Sequence, residues 1–279
     1  MRRVYLIPNM VTALGLACGL FVIFKMNMTE PGTSNYHLVF IAAVLILLAA
    51  LADVLDGAIA RFIRAESEFG VQFDSLSDGI AFGVAPAVVV LKTLSIPSGT
   101  KLSFLVTGAA MLYSVCGVLR LVRFNVKAME AKGNEVKKLA HKKHFTGLPI
   151  PVAAISAVSA NLFLVSDDFL QFGPVSENIR GIIMAVVMII LGYFMISRWK
   201  FPSVKALHFR VRSFYLVLIT VCIAVLLLFG ALYHFAVLFV CIPWIYLIVA
   251  WVLSIIRMIA GKKSKTLEDF EPDSDDDWE

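Results

Sequence analysis

Eight mostly apolar stretches, each near the length of a bilayer-crossing helix, constrain this chain more than any other feature. They run at approximately 7–25, 37–63, 79–96, 103–124, 148–165, 180–197, 213–231 and 235–257. A helix needs about 20 such residues to cross a hydrocarbon core of roughly 30 Å. With 59% hydrophobic and 16% charged residues, and a mean hydropathy of +0.85, the chain is too apolar to cover the surface of a water-soluble domain. The expected fold is all-α, a polytopic membrane bundle of about eight transmembrane helices. One membrane domain is expected over 1–260, followed by an acidic, disordered tail over 261–279. The first run is expected to remain as a span, because it is longer than the roughly 7–15 apolar residues of a signal peptide.

Charge sets the expected orientation. In the eight-span arrangement 21 of the 25 Lys and Arg fall on one side, the exceptions being Lys25, Lys92, Lys101 and Arg180. Cytoplasmic loops carry such an excess, so both termini are expected in the cytoplasm; the membrane itself is expected to be the inner membrane of a prokaryotic cell. The net charge of +5 then reflects topology and attraction to anionic lipid, not nucleic-acid binding, for which no motif is present. Cys18, Cys116, Cys222 and Cys241 are scattered through apolar runs without metal or disulfide spacing and read as small buried hydrophobes. His141 and His144 stand in a basic loop at about 125–146 without further ligands, and they are left out of any metal site.

Four aspartates interrupt this pattern. Asp53 and Asp56 lie inside the second apolar run, with Gly57, Ala60 and Arg61 after them; Gly70, Asp74 and Asp78 follow across a short turn. An Asp near the centre of a membrane helix costs on the order of 2.5–3.5 kcal/mol, so such residues are functional by default. At about 100° per residue, Asp53, Asp56, Gly57 and Ala60 share a stripe about 100° wide. Gly70, Asp74 and Asp78 are four residues apart and stack on one face of the next helix, which must begin before its apolar portion. Opposed, the two faces would gather four carboxylates in one pocket.

Four such charges need cations, and hard oxygen donors suit Mg²⁺ or Mn²⁺. A two-metal centre clamping phosphate oxygens, with one carboxylate free to take a proton, is the expected solution. Simple pairing of the acids with Arg61 or Arg64, an ion-coupled transporter's relay, and a structural scaffold are the rival readings.

The order Asp53, Asp56, Gly57, Ala60, Arg61, Gly70, Asp74, Asp78, at these spacings, resembles the complete signature of the CDP-alcohol phosphatidyltransferases. That resemblance implies a homodimeric bundle around a six-helix core, with its active site open to the cytoplasm. Asp53, Asp56, Asp74 and Asp78 would be metal ligands, Asp78 also the catalytic base, and Gly57, Ala60 and Arg61 part of the CDP site. Asn9 and Thr12 resemble a further nucleotide-facing segment of the family, although Asn9 is equally suited to cap the first helix.

Other segments resemble the phosphatidylserine synthase branch: Phe82, Gly83 and Pro86; Arg120, Arg123, Phe124 and Asn125; Phe145, Gly147, Leu148, Pro149 and Pro151; and Ser197, Arg198, Phe201, Pro202 and Ser203. The implied reaction joins CDP-diacylglycerol and L-serine, giving phosphatidylserine and CMP. Arg120 and Arg123 are candidates for the serine carboxylate or lipid phosphate, since a planar guanidinium matches either. Glycerol-phosphate, inositol-phosphate or choline acceptors are the alternatives within the same chemistry.

Overall fold

The computed structural model describes residues 6–30, 36–63, 67–97, 99–130, 145–171, 175–197, 200–201 and 234–260. The seventh expected span, His141, His144, Cys222, Arg64 and the acidic tail lie outside them. The helices are α1 (Leu6–Asn27), α2 (Tyr36–Phe62), α3 (Glu68–Asp78), α4 (Ala85–Thr93), α5 (Lys101–Glu130), α6 (Ile150–Val165), the short α7 (Asp167–Leu170), α8 (Glu177–Ile196) and α9 (Phe235–Ala260). A two-residue antiparallel ladder pairs β1 (Phe145–Thr146) with β2 (Lys200–Phe201).

Among the described residues six helical stretches are long and apolar enough to cross a membrane, so this is an integral membrane protein of helical-bundle class. The fifth expected span forms a shorter helix, α6, of 16 residues, 11 of them buried. A helix that is apolar all round and enclosed by its neighbours belongs to the bundle's interior. Its start is prepared locally: Gly147 takes a positive φ of 81°, and Pro151 falls in the first turn, where a missing N–H leaves no hydrogen bond unmade.

The chain divides into two compact units. One comprises 1–126 and 149–196; the other comprises 127–148 and 197–279, with the ladder and α9. In the first, α1 packs along α2 and also meets α3 and α4, while α6 lies against α2, α4 and α8. Gly19 permits the approach of α1 to the segment between α3 and α4, because a Cβ there would sit 2.6 Å from the Cα of Ala81.

The third span starts earlier than its apolar run at 79 and ends before 96, covering Glu68–Thr93. Ser67 caps it by accepting from the Gly70 N–H at 3.0 Å, and Glu68 favours the positive end of the helix dipole. Midway, Gly79–Val84 forms a wide π-helical turn joining α3 to α4. The residues around Pro86 therefore shape this helix by widening it.

Side-chain placement on α2 fits the bilayer as solvent. Val54 and Leu55 are 65% and 45% exposed, whereas Asp56 is 4% exposed. Water around the bundle would favour the reverse. Hydrocarbon around it makes this arrangement favourable, with the carboxylate turned into protein and the apolar side chains facing lipid.

Candidate active site

The two aspartate-bearing helices meet as their spacing requires. Asp53 and Asp56 of α2, Asp74 and Asp78 of α3, and Thr12 and Gly15 of α1 line one small, partly open cavity of about 180 Å³, counting the space at its open side, together with Ala49, Ser77, Ala81 and Phe82. One oxygen each from Asp53, Asp56 and Asp74 lies within 4.8 Å of the others. Two ligands on opposite sides of one magnesium ion stand roughly 4 Å apart, so modest closure would let three oxygens share a hard cation. Asp78 belongs to the cavity but not to this group of three.

The donor set fits a divalent cation on its own chemistry. Asp74 Oδ1 is buried without a hydrogen-bond partner among the described residues. Such an acceptor is costly unless something of positive charge meets it. Asp56 Oδ2 instead accepts from the Thr12 hydroxyl at 2.5 Å. The charges of Asp53, Asp56 and Asp74 all act on Asp78, a mutual repulsion that a cation among them would offset.

A second, open cleft of about 610 Å³, counting the space at its mouth, adjoins this cavity. It shares Thr12, Asp56 and Asp74 with the cavity and adds Pro8, Asn9, Gly57, Ala60, Arg61, Ser67, Gly70 and Val71. Gly70 keeps it open: a Cβ there would stand 3.0 Å from Ser67 Oγ and 3.3 Å from Asn9 Oδ1. Because α1 begins at Leu6, Asn9 is already inside the helix and is not its N-cap; it lines the cleft.

The two candidate arginines separate. Arg120 of α5 is 8% exposed, and its Nε is without a hydrogen-bond partner among the described residues. Its charge acts on Asp53 and Asp78. Arg123 Nη1 instead donates to the carbonyl of Ile196 at 2.9 Å, where a cation favours the negative end of α8.

Two contributions are not legible in the sequence. Thr12 appears there only as a nucleotide-facing residue; it lines the cleft, and its hydroxyl also donates to a carboxylate. Ser77 donates to the Thr12 carbonyl at 3.3 Å and so ties α3 to α1; a serine within a helix gives no signal of such a tie.

A family model for CDP-alcohol phosphatidyltransferase matches residues 5–193. Similar curated proteins include a CDP-diacylglycerol–serine O-phosphatidyltransferase of Helicobacter pylori strain J99, 30% identical over 258 residues that cover 92% of this chain and 96% of the relative. Proteins of the same name from Bacillus subtilis strain 168 and Methanocaldococcus jannaschii are 32% and 28% identical, over 71% and 90% of this chain and 91% and 96% of their own lengths. The match spans the aspartate-bearing helices and the bundle that holds them, and the chain belongs to the CDP-alcohol phosphatidyltransferase family.

Proposed function

We propose that this protein transfers the phosphatidyl group of CDP-diacylglycerol to the hydroxyl of L-serine, releasing CMP. The observation that carries the reading is the convergence of Asp53, Asp56 and Asp74 within 4.8 Å, in a cavity that also holds Asp78 and adjoins an open cleft. Similarity to proteins named for this reaction, over nearly their whole length, supports the choice of acceptor.

Asp53, Asp56 and Asp74, with Asp78 beside them, would hold two divalent cations, Mn²⁺ or Mg²⁺. When bound, these supply positive charge to the phosphate oxygens as negative charge builds in the transition state. Asp78 takes the proton of the serine hydroxyl. The serine oxygen then forms a bond to the lipid-side phosphorus, and the bond from that phosphorus to the CMP oxygen breaks. Gly57, Ala60, Arg61, Asn9 and Thr12 accommodate the cytidine and its phosphates in the cleft, where Gly57 and Gly70 leave the backbone uncovered.

Arg120 is the residue assigned to the serine carboxylate. A buried guanidinium with an unmatched N–H, acting on Asp78, is suited to an anion brought beside the base. Arg123, committed to the end of α8 through one of its nitrogens, is assigned a supporting role at the lipid phosphate. The 21-to-4 partition of basic residues supports a cytoplasmic opening of the site and cytoplasmic termini, and the bacterial relatives support an inner-membrane location. The functional unit is proposed to be a homodimer.

The test is CMP release by purified protein with CDP-diacylglycerol and Mn²⁺, comparing serine with glycerol 3-phosphate, inositol phosphate and choline. Serine-dependent release that falls about 10²- to 10⁴-fold in folded Asp78→Asn, the range for losing a general base, is expected. Preference for another acceptor would reject the serine assignment. Absence of release with every acceptor would reject the enzymatic reading and direct attention to ion-coupled transport.

A further inference from the structure

A proline inside a membrane span raises an accounting question. Pro86 has no N–H to give to the Phe82 carbonyl four residues earlier, and in a regular helix its ring would press on that carbonyl. In hydrocarbon the freed acceptor must find another donor inside the protein. The chain answers in two ways. The turn widens over Gly79–Val84, with the Ala85 N–H reaching back five residues to Ile80. The neighbouring helix α5 supplies the donors: the Tyr113 hydroxyl meets the Phe82 carbonyl at 2.9 Å, and Ser114 Oγ meets the Gly83 carbonyl at 2.8 Å, closer than the Ala110 carbonyl of its own helix at 3.1 Å. Consecutive residues on α5 thus satisfy consecutive carbonyls on the wide turn. Tyr113 has no exposed surface, and neither residue is among those that line the carboxylate cavity.

The wide turn starts at the residue after Asp78. Upstream, α3 is fixed by its Ser67 cap and by Ser77 on α1; downstream, Ala85, Pro86, Ala87, Val89 and Val90 of α4 are buried. Each residue of a regular helix advances about 100°. Relaxing the wide turn to ordinary helical winding would therefore turn the Asp78 face relative to the α4 face. The turn lets both faces point inward within one span, and wide turns of this kind occur often at functional sites.

We propose that Tyr113 and Ser114 are positioning residues for the transfer reaction: their hydroxyls hold the wide turn open and so fix the direction in which Asp78 enters the cavity. The inference rests on the proposed transfer reaction. Misplacing a reacting group by about 1 Å costs on the order of 10²-fold in rate, so loss of this hold should lower kcat more than it weakens binding.

The experiment uses the purified full chain in lipid nanodiscs, with steady-state CMP release and amide hydrogen exchange over the 79–87 segment. Tyr113→Phe removes one oxygen and is expected to lower kcat about 10- to 100-fold, with KM for CDP-diacylglycerol within about twofold. Ser114→Ala should also lower kcat, and Ser114→Thr, which keeps the hydroxyl, should restore it. Pro86→Ala supplies the missing N–H, so in that background Tyr113→Phe should cost less than about twofold further. A role for Tyr113 in packing alone would cost the same in both backgrounds, and such additivity would overturn the proposal. So would an unchanged kcat in folded Tyr113→Phe.

If Tyr113→Phe does not fold, the Ser114→Ala and Ser114→Thr pair decides: equal kcat in the two refutes the hold. If the unaltered protein releases no CMP with serine, the functional reading has failed and exchange alone decides. Faster exchange over 79–87 in Tyr113→Phe, slowed again by Pro86→Ala, supports the hold; unchanged exchange refutes it.

Discussion

Replacing Thr12 by Val isolates the contact between α1 and the carboxylate cavity. The substitution exchanges a hydroxyl for a methyl group of nearly the same shape. It leaves the Thr12 backbone carbonyl in place to accept from Ser77, so the tie between α1 and α3 survives. What disappears is the 2.5 Å hydrogen bond to Asp56 Oδ2 and the longer, 3.1 Å contact of the same hydroxyl with the Pro8 carbonyl within α1. Asp56 is 4% exposed, and water cannot readily replace the lost donor. A hydrogen bond to a charged group contributes about 1.5–3 kcal/mol, and residues that orient metal ligands typically change metal affinity or activity by about 10- to 100-fold. With Asp56 freed to rotate, the Mn²⁺ concentration for half-maximal CMP release should rise about 10- to 100-fold, while saturating Mn²⁺ recovers much of the rate. Thr12→Ser, which keeps the donor, should titrate like the unaltered protein. If folded Thr12→Val has the same Mn²⁺ dependence as Thr12→Ser, the hydroxyl does not orient a metal ligand and the reasoning fails.

Two further substitutions test separate parts of the assembly. Arg120→Lys keeps a positive charge but removes the planar pair of donors, and it should raise KM for serine about tenfold or more with little change in KM for CDP-diacylglycerol; steady-state kinetics with each substrate varied separate the two. Gly19→Ala places a Cβ 2.6 Å from the backbone of Ala81 and should destabilise the bundle by about 1–3 kcal/mol, the cost of overpacking. A thermal midpoint in detergent equal to that of the unaltered protein would show that α1 and the wide turn can separate without loss.

Much of this architecture is visible in the order of residues because hydrocarbon imposes simple rules. Apolar runs of crossing length announce helices, and acids within such runs must face protein. The two periodicities, Asp53 with Asp56 and Gly70 with Asp74 and Asp78, were sufficient to anticipate that two helix faces meet. The four aspartates do line one cavity. The start of the third span was less legible as hydropathy, since Glu68–Asp78 is too polar to join an apolar run; its cap at Ser67 is the local signal that extends the helix.

What the residue order conceals is the division of labour inside the pocket. Spacing treats Asp74 and Asp78 as equivalent rungs of one face, yet the Asp74 oxygen joins those of Asp53 and Asp56, while Asp78 sits where the helix begins to widen. Arg120 and Arg123 are likewise one helical turn apart in sequence. One is buried, with its charge acting on Asp53 and Asp78, and the other reaches the end of α8, because three residues of advance turn a side chain by about 60° around the axis. That angle separates the cavity from the helix terminus only when α8 is in place. Pro86 shows the same dependence: alone it signals a distorted helix, but the form of the distortion depends on donors that α5 brings from residues 113 and 114. Sequence periodicity gathers the charges on shared faces, whereas contacts between separate helices determine which carboxylate oxygens converge, which carboxylate stands apart and which arginine is buried.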